Sequence, residues 1–92
     1  MILSFQSPDT ERLFRDERVR QWQAIENIAR RKLDMLHAAR KLEDLKVPPG
    51  NRLHKLTGDR VGQHAISIND QYRVCFAWRD GNAYDVEITD YQ

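Results

Sequence analysis

His54, Arg52, Lys55, Arg60, Arg73, Asp90 and Tyr91 are side chains of this 92-residue chain whose types could hold and cut a phosphodiester. Cleaving RNA through its own 2′-hydroxyl calls for a base near that hydroxyl and positive charge on the crowded phosphorus. It also calls for an acid at the leaving oxygen, and it needs no bound metal. A histidine such as His54 suits either proton role. Arg73 stands alone in an alternating apolar run, Tyr72 to Trp78, and could hold phosphate. Asp90 could orient a group or accept a proton, and Tyr91 could stack on a base or donate a proton. Arg52, Lys55 and Arg60 are further candidates for binding phosphate. Each also fits an ordinary role: His54 at a strand edge, Arg52 and Lys55 as edge charges that discourage strand pairing, Arg60 paired with a nearby acid, Arg73 simply exposed, Tyr91 covering the rim of the core.

The elements that must position these groups follow from periodicity. Met1 to Phe5 reads as a short strand at a sheet edge. Ser7-Pro8-Asp9-Thr10-Glu11 is a helix start, with Ser7 as cap, Pro8 in the first turn and acids at the positive end. This short helix carries Leu13 and Phe14. A second helix spans about Trp22 to Ala39, with Trp22, Ile25, Ile28, Ala29, Leu33 and Leu36 forming one buried stripe. Arg30, Arg31 and Lys32 should face away from that stripe. Leu42 and Leu45 fit one further helical turn, and Pro48-Pro49-Gly50 stops helix.

The pattern then changes to period two. Arg52 to Leu56 and Gln63 to Ile68 are strand candidates. Tyr72, Val74, Phe76 and Trp78 share one face of a third strand, leaving Arg73, Cys75, Ala77 and Arg79 on the other. Asp80-Gly81 is a hairpin turn, since both residues tolerate positive φ. Tyr84, Val86 and Ile88 continue the alternation. The order predicts an α+β fold, one domain over residues 1–92, with an N-terminal strand and two to three helices packed on a C-terminal antiparallel sheet.

Composition narrows the function classes. Apolar residues make up 40% and charged residues 32%, as in a soluble globular protein. A lone cysteine, Cys75, excludes an internal disulfide framework, fits a reducing cytoplasm, and reads as a small buried strand residue. No apolar run approaches the length of a membrane helix, and the N-terminus lacks the features of a signal peptide. The expected setting is therefore cytoplasmic, with no membrane partner. His37, His54 and His64 have no metal-ligand spacing, and no glycine-rich phosphate loop is present, so neither a metal nor a cofactor is expected. Residues 1–60 hold 13 of the 15 basic residues against nine acids, so any polyanion should be drawn to that part.

The phrase Asn51-Arg52-Leu53-His54-Lys55-Leu56-Thr57-Gly58-Asp59-Arg60, with Gly62 and Ile66-Ser67-Ile68 after it, resembles the HigB branch of the RelE-type bacterial toxins, the plasmid-maintenance killer proteins. Asn69-Asp70-Gln71-Tyr72-Arg73-Val74-Cys75-Phe76, Ala83 to Glu87, Asp90-Tyr91, the opening Met1-Ile2 with Ser4-Phe5, and His37-Ala38-Ala39-Arg40 extend the resemblance over essentially the whole chain. It implies a microbial-RNase-like fold and an endoribonuclease, an mRNA interferase that enters the A site of the 30S subunit and cleaves mRNA there. It implies neutralisation by a HigA-like helix–turn–helix antitoxin. His54, Arg73, Asp90 and Tyr91 would be its catalytic residues, with Arg73 on the scissile phosphate and Lys55 assisting. Arg30, Arg31, Lys32 and Arg40 would be the candidates for contact with ribosomal RNA. Two positions depart from the pattern: many members carry lysine where this chain has Thr57, and histidine where it has Gln92. These departures leave an alternative, a RelE-fold module that binds ribosome or antitoxin without efficient cleavage.

Overall fold

A computed structural model describes residues 1–91. Its α+β architecture is two helices, α1 (Pro8–Phe14) and α2 (Glu26–Ala38), laid on one face of a four-stranded antiparallel sheet. The strands are β1 (His54–Lys55), β2 (Gln63–Ser67), β3 (Tyr72–Arg79) and β4 (Asn82–Asp90), in spatial order β1-β2-β3-β4. The helix start is built as its residues dictate: the Ser7 hydroxyl accepts from the Thr10 amide at 3.2 Å, with Pro8 opening the helix. Leu13, Ala29, Leu33 and Leu36 from the helices bury against Ile66, Val74, Phe76, Val86 and Ile88 from the sheet. Each large side chain of this kind contributes about 1.5–3 kcal/mol on burial.

The segment 1–6 runs parallel along the outer edge of β4, bridging Ile2 to Ala83 and Phe5 to Val86. Its amides and carbonyls take up that edge through Leu3 N to Ala83 O at 2.8 Å and Val86 N to Ser4 O at 3.1 Å. Further along, the Ile88 amide donates to the buried Thr10 hydroxyl at 3.0 Å. The edge of β4 is thus closed by the chain's own first turn and helix, which removes a template for unwanted strand pairing.

The Asp80-Gly81 turn has positive φ at both residues, as expected, and pairs Arg79 with Asn82. Counted from that turn, Ala77 faces Tyr84. Beyond it the register slips by one, so that Cys75 faces Glu87, Val74 faces Ile88 and Arg73 faces Thr89. The extra residue lies in β4, where Asp85 adopts φ +55° and donates its amide to the Ser4 hydroxyl at 2.8 Å. This is a β-bulge, and it corrects the expected alternation. Tyr84 does not share a face with Val86 and Ile88; it lies on the other face, under the Arg79 guanidinium at 4.3 Å.

Two features of the helical region also differ from expectation. Residues Arg20–Ile25 form 3-10 turns, because Trp22 leaves helical angles as its side chain buries. Ile28 is exposed, and Lys32 takes its place in the inward stripe, three residues after Ala29 and four before Leu36. The Lys32 ammonium donates to the Oδ1 of Asn51, which is itself fully buried. Asn51 Nδ2 in turn donates to the Leu45 carbonyl at 3.1 Å. Burial, and then the neighbouring Arg31 charge, hold the Lys32 pKa below its ordinary value.

The lysine is tolerated inside because Asn51 replaces its water. Asn51→Ala should therefore cost on the order of 3 kcal/mol, the loss expected when a buried charged donor is stranded. Adding Lys32→Met should recover at least about 1 kcal/mol of it, because no charge then remains to be solvated. Urea unfolding of both variants checks this; a double variant no more stable than Asn51→Ala would remove Lys32 as the cause.

Candidate functional site

The helices cover only one face of the sheet. On the other face Arg73 is flanked in register by Ser67 of β2 and Thr89 of β4. Its Nε donates to the Thr89 hydroxyl at 3.3 Å, and its guanidinium lies 5.2 Å from the centroid of the Tyr91 ring. Thr89 also contacts the Cys75 thiol at 3.3 Å. Tyr91 is fixed beyond the end of β4 by its amide, which donates to the Gln71 carbonyl at 2.8 Å. Two anchors thus hold the arginine fork, one by hydrogen bond and one by cation–π attraction. Among the described residues no carboxylate forms an ion pair with Arg73, so its charge is available to an anion. One pair along the same face, Leu56, Ala65 and Cys75 form a small buried apolar cluster.

The other candidates fall in distinct places. His54 pairs with Ala65, and Ala65 with Cys75, so His54 shares the open face with Arg73. It lies two strand spacings across and two residues along the sheet from Arg73, roughly 12 Å. Its Nδ1 is 2.7 Å from the Arg52 carbonyl. A carbonyl only accepts, so Nδ1 carries the proton and Nε2 of the neutral ring is left to accept one. Asp90 pairs in register with Tyr72, so by alternation it stands on the face opposite Arg73, at the end of β4, and its Oδ2 accepts from Gln71 Nε2 at 3.2 Å. Arg52 is exposed, with left-handed backbone at φ 50°. Arg60 is engaged by Glu87 at 2.9 Å and by Gln63 at 3.2 Å. Thr57 is exposed at the start of the turn Gly58–Arg60. Gln92 lies outside the described residues.

The basic residues of α2 need correction. Lys32 is buried and committed to Asn51, so it does not face solvent. Arg30 is a staple: it donates to the carbonyls of Leu13 at 3.1 Å and Glu17 at 2.8 Å and pairs with Glu26 at 2.8 Å. Arg31 and Arg40 are exposed. Sequence reasoning passed over Thr89 and Glu87, because a count from the hairpin without the bulge puts Ile88 opposite Arg73. The conflicting signal was present: Val86 and Ile88 cannot bury with Val74 and Phe76 unless one residue is inserted after Tyr84.

Residues 3–91 match the family described as RelE-like toxin of type II toxin-antitoxin system HigB. The chain is 38% identical over 90 residues to Toxin HigB-1 of Vibrio cholerae serotype O1, covering 96% of this chain and 95% of that protein. It is also 34% identical over 58 residues to an uncharacterised protein of Haemophilus influenzae, covering 63% of this chain and 57% of that one. No helix among the described residues is long and apolar enough to cross a membrane.

Lys55 pairs with His64, and His64 with Phe76, on the face opposite Arg73. The His64 ring stacks on Phe76 at 6.1 Å, and among the described residues its Nδ1 is buried without a partner. Burial first, then the Lys55 and His54 charges, lower its pKa from 6.5. The unfolded chain therefore binds a proton that the fold rejects between the lowered value and 6.5. This contribution to stability is complete above 6.5 and is lost as pH falls through the folded value. Lys55→Met should move the His64 titration upward, read from its ring protons by NMR, and should flatten the acid limb of the urea-midpoint profile. An unchanged His64 titration would show that Lys55 does not act on it.

Proposed function

The chain belongs to the HigB-like toxins, RelE-like toxins of type II toxin–antitoxin systems, and we propose that it is a ribosome-dependent mRNA endonuclease of the cytoplasm. A toxin of this type has an antitoxin as partner. The proposed one is a HigA-like helix–turn–helix protein, and the proposed target is mRNA in the ribosomal A site. The observation that carries the reading is the Arg73 guanidinium, held by Thr89 and Tyr91 on the sheet face that no helix covers.

In the proposed reaction the 2′-oxygen attacks the adjacent phosphorus while the bond to the 5′-oxygen breaks. Negative charge builds on the non-bridging oxygens, and the Arg73 fork meets it with paired donors. His54 Nε2 is the free acceptor for the 2′-hydroxyl proton and, once it holds that proton, the donor that returns it to the leaving 5′-oxygen. Asp90, at the end of β4, would join this proton transfer only from the rim of the sheet. Tyr91 stacks against RNA, and Thr89 keeps the Arg73 fork aimed. Arg31 and Arg40, both exposed, attract ribosomal RNA phosphates.

Primer extension on a reporter mRNA in a purified translation system tests this, with and without ribosomes. Wild type should cut only when ribosomes are present. Arg73→Ala should lower cutting by on the order of 10²–10³-fold, the usual cost of removing a group that stabilises the transition state. Undiminished cutting by a folded Arg73→Ala protein would remove Arg73 from the chemistry. Ribosome binding by wild type without cuts would instead identify a binding module, the outcome consistent with an uncharged Thr57.

A further inference from the structure

We propose that the cleft beside Arg73, bounded by Gln6, Asp59, Arg60, Gln63 and Glu87, is a nucleobase subsite that favours bases bearing an exocyclic amine over uracil. The inference deepens the nuclease reading: it assigns the group that would recognise one nucleotide next to the scissile phosphate.

The cleft encloses about 490 Å³ and is lined only by polar side chains. Its position relative to the phosphate clamp follows from the bulge. Because β4 is shifted by one, Glu87 faces Cys75 and stands on the same face as Arg73, one pair further along. Diagonal neighbours of this kind are roughly 7–8 Å apart. That separation lets one nucleotide place its phosphate on Arg73 and its base at Glu87.

The chemistry of the lining is specific. Arg60 Nη2 donates to Glu87 Oε1 at 2.9 Å and Nη1 donates to Gln63 Oε1 at 3.2 Å, so the guanidinium braces both side chains. Among the described residues only Oε1 of Glu87 is engaged in this way, which leaves Oε2 as an acceptor. Asp59 adds a second carboxylate, and the Gln6 and Gln63 amides can donate and accept. A carboxylate receives a hydrogen bond from the amine of cytosine, adenine or guanine. Uracil has no exocyclic amine; its one Watson–Crick donor is N3–H, flanked on both sides by carbonyls that a carboxylate repels. Arg60 thus serves the subsite through Glu87 and does not bind phosphate itself.

Two measurements test this. The first is an NMR titration of the intact chain with the 3′-monophosphates of adenosine, cytidine and uridine. The Gln63 and Glu87 amides should shift with the adenosine and cytidine nucleotides and respond about tenfold more weakly to the uridine one. Glu87→Gln carries a donor where the carboxylate stood, so it should erase that difference. Gln6→Ala leaves the Arg60–Glu87 pair intact and should weaken all three nucleotides, which keeps the test open if Glu87→Gln does not fold. Shifts at Arg73 and Thr89 without any at Gln63 and Glu87 would overturn the subsite and leave the nuclease reading standing. The second measurement maps cut positions on a reporter with randomised codons. Wild type should disfavour uridine at one fixed position, and Glu87→Gln should relax that position. An unchanged base distribution from folded Glu87→Gln would overturn the proposal. Base-selective shifts at the subsite from a wild type that makes no cuts would uphold the subsite and refute the nuclease.

Discussion

The site depends on one inserted residue. Without the bulge at Asp85, the two-residue turn at Asp80-Gly81 would pair Arg73 with Ile88 and Cys75 with Val86. Two apolar side chains would then stand on the open face, and Glu87 and Thr89 would be driven into the helix-packed core. With it, the apolar residues bury and the polar ones surround Arg73. The backbone at Asp85 must adopt positive φ, a conformation aspartate tolerates better than most residues. Its displaced amide is not lost to the ladder for nothing, since the Ser4 hydroxyl receives it. A single local distortion therefore sorts both faces of β4.

The basic residues show how charge count misleads about function. The N-terminal part looks suited to a polyanion, yet several of its cations are occupied. Arg30 ties the loop after α1 to α2, Lys32 holds Asn51 inside, and Arg60 braces Glu87. Ion pairs such as Arg15 with Glu11 at 3.0 Å are exposed and contribute little to stability. What distinguishes Arg73 is its setting. Its immediate neighbours are a hydroxyl and an aromatic ring, so an incoming phosphate need not displace a carboxylate.

Much of this architecture was legible in the residues. The Ser7-Pro8 helix start, the Asp80-Gly81 hairpin, the helices before strands, and the alternation of Tyr72 to Trp78 each follow from local preference, and local preference agrees with the fold there. The bulge was harder to read, because Tyr84, Val86 and Ile88 satisfy period two perfectly and only a count of the pairing against β3 exposes the conflict. Lys32 was misread because a lysine in an inward stripe contradicts its own chemistry until Asn51, 19 residues away, supplies the missing partner. Long-range pairs of this kind, like Arg60 with Glu87, are set by tertiary packing, and no window along the chain contains both members.

The parallel contact between the first residues and β4 has a consequence for the order of folding. Ile2 waits for Ala83, Thr10 waits for Ile88, and Arg73 waits for Thr89 and Tyr91. Contacts so distant along the chain must close a large loop before they return any stability. While the chain is being made, the helices can form early, but β4 and everything it sorts come after position 82. A ribosome synthesising this protein therefore carries, for most of that time, a chain that cannot present an assembled Arg73 site. The proposed activity becomes possible only once β4 has joined the sheet, the step that also completes any surface a partner protein would recognise there.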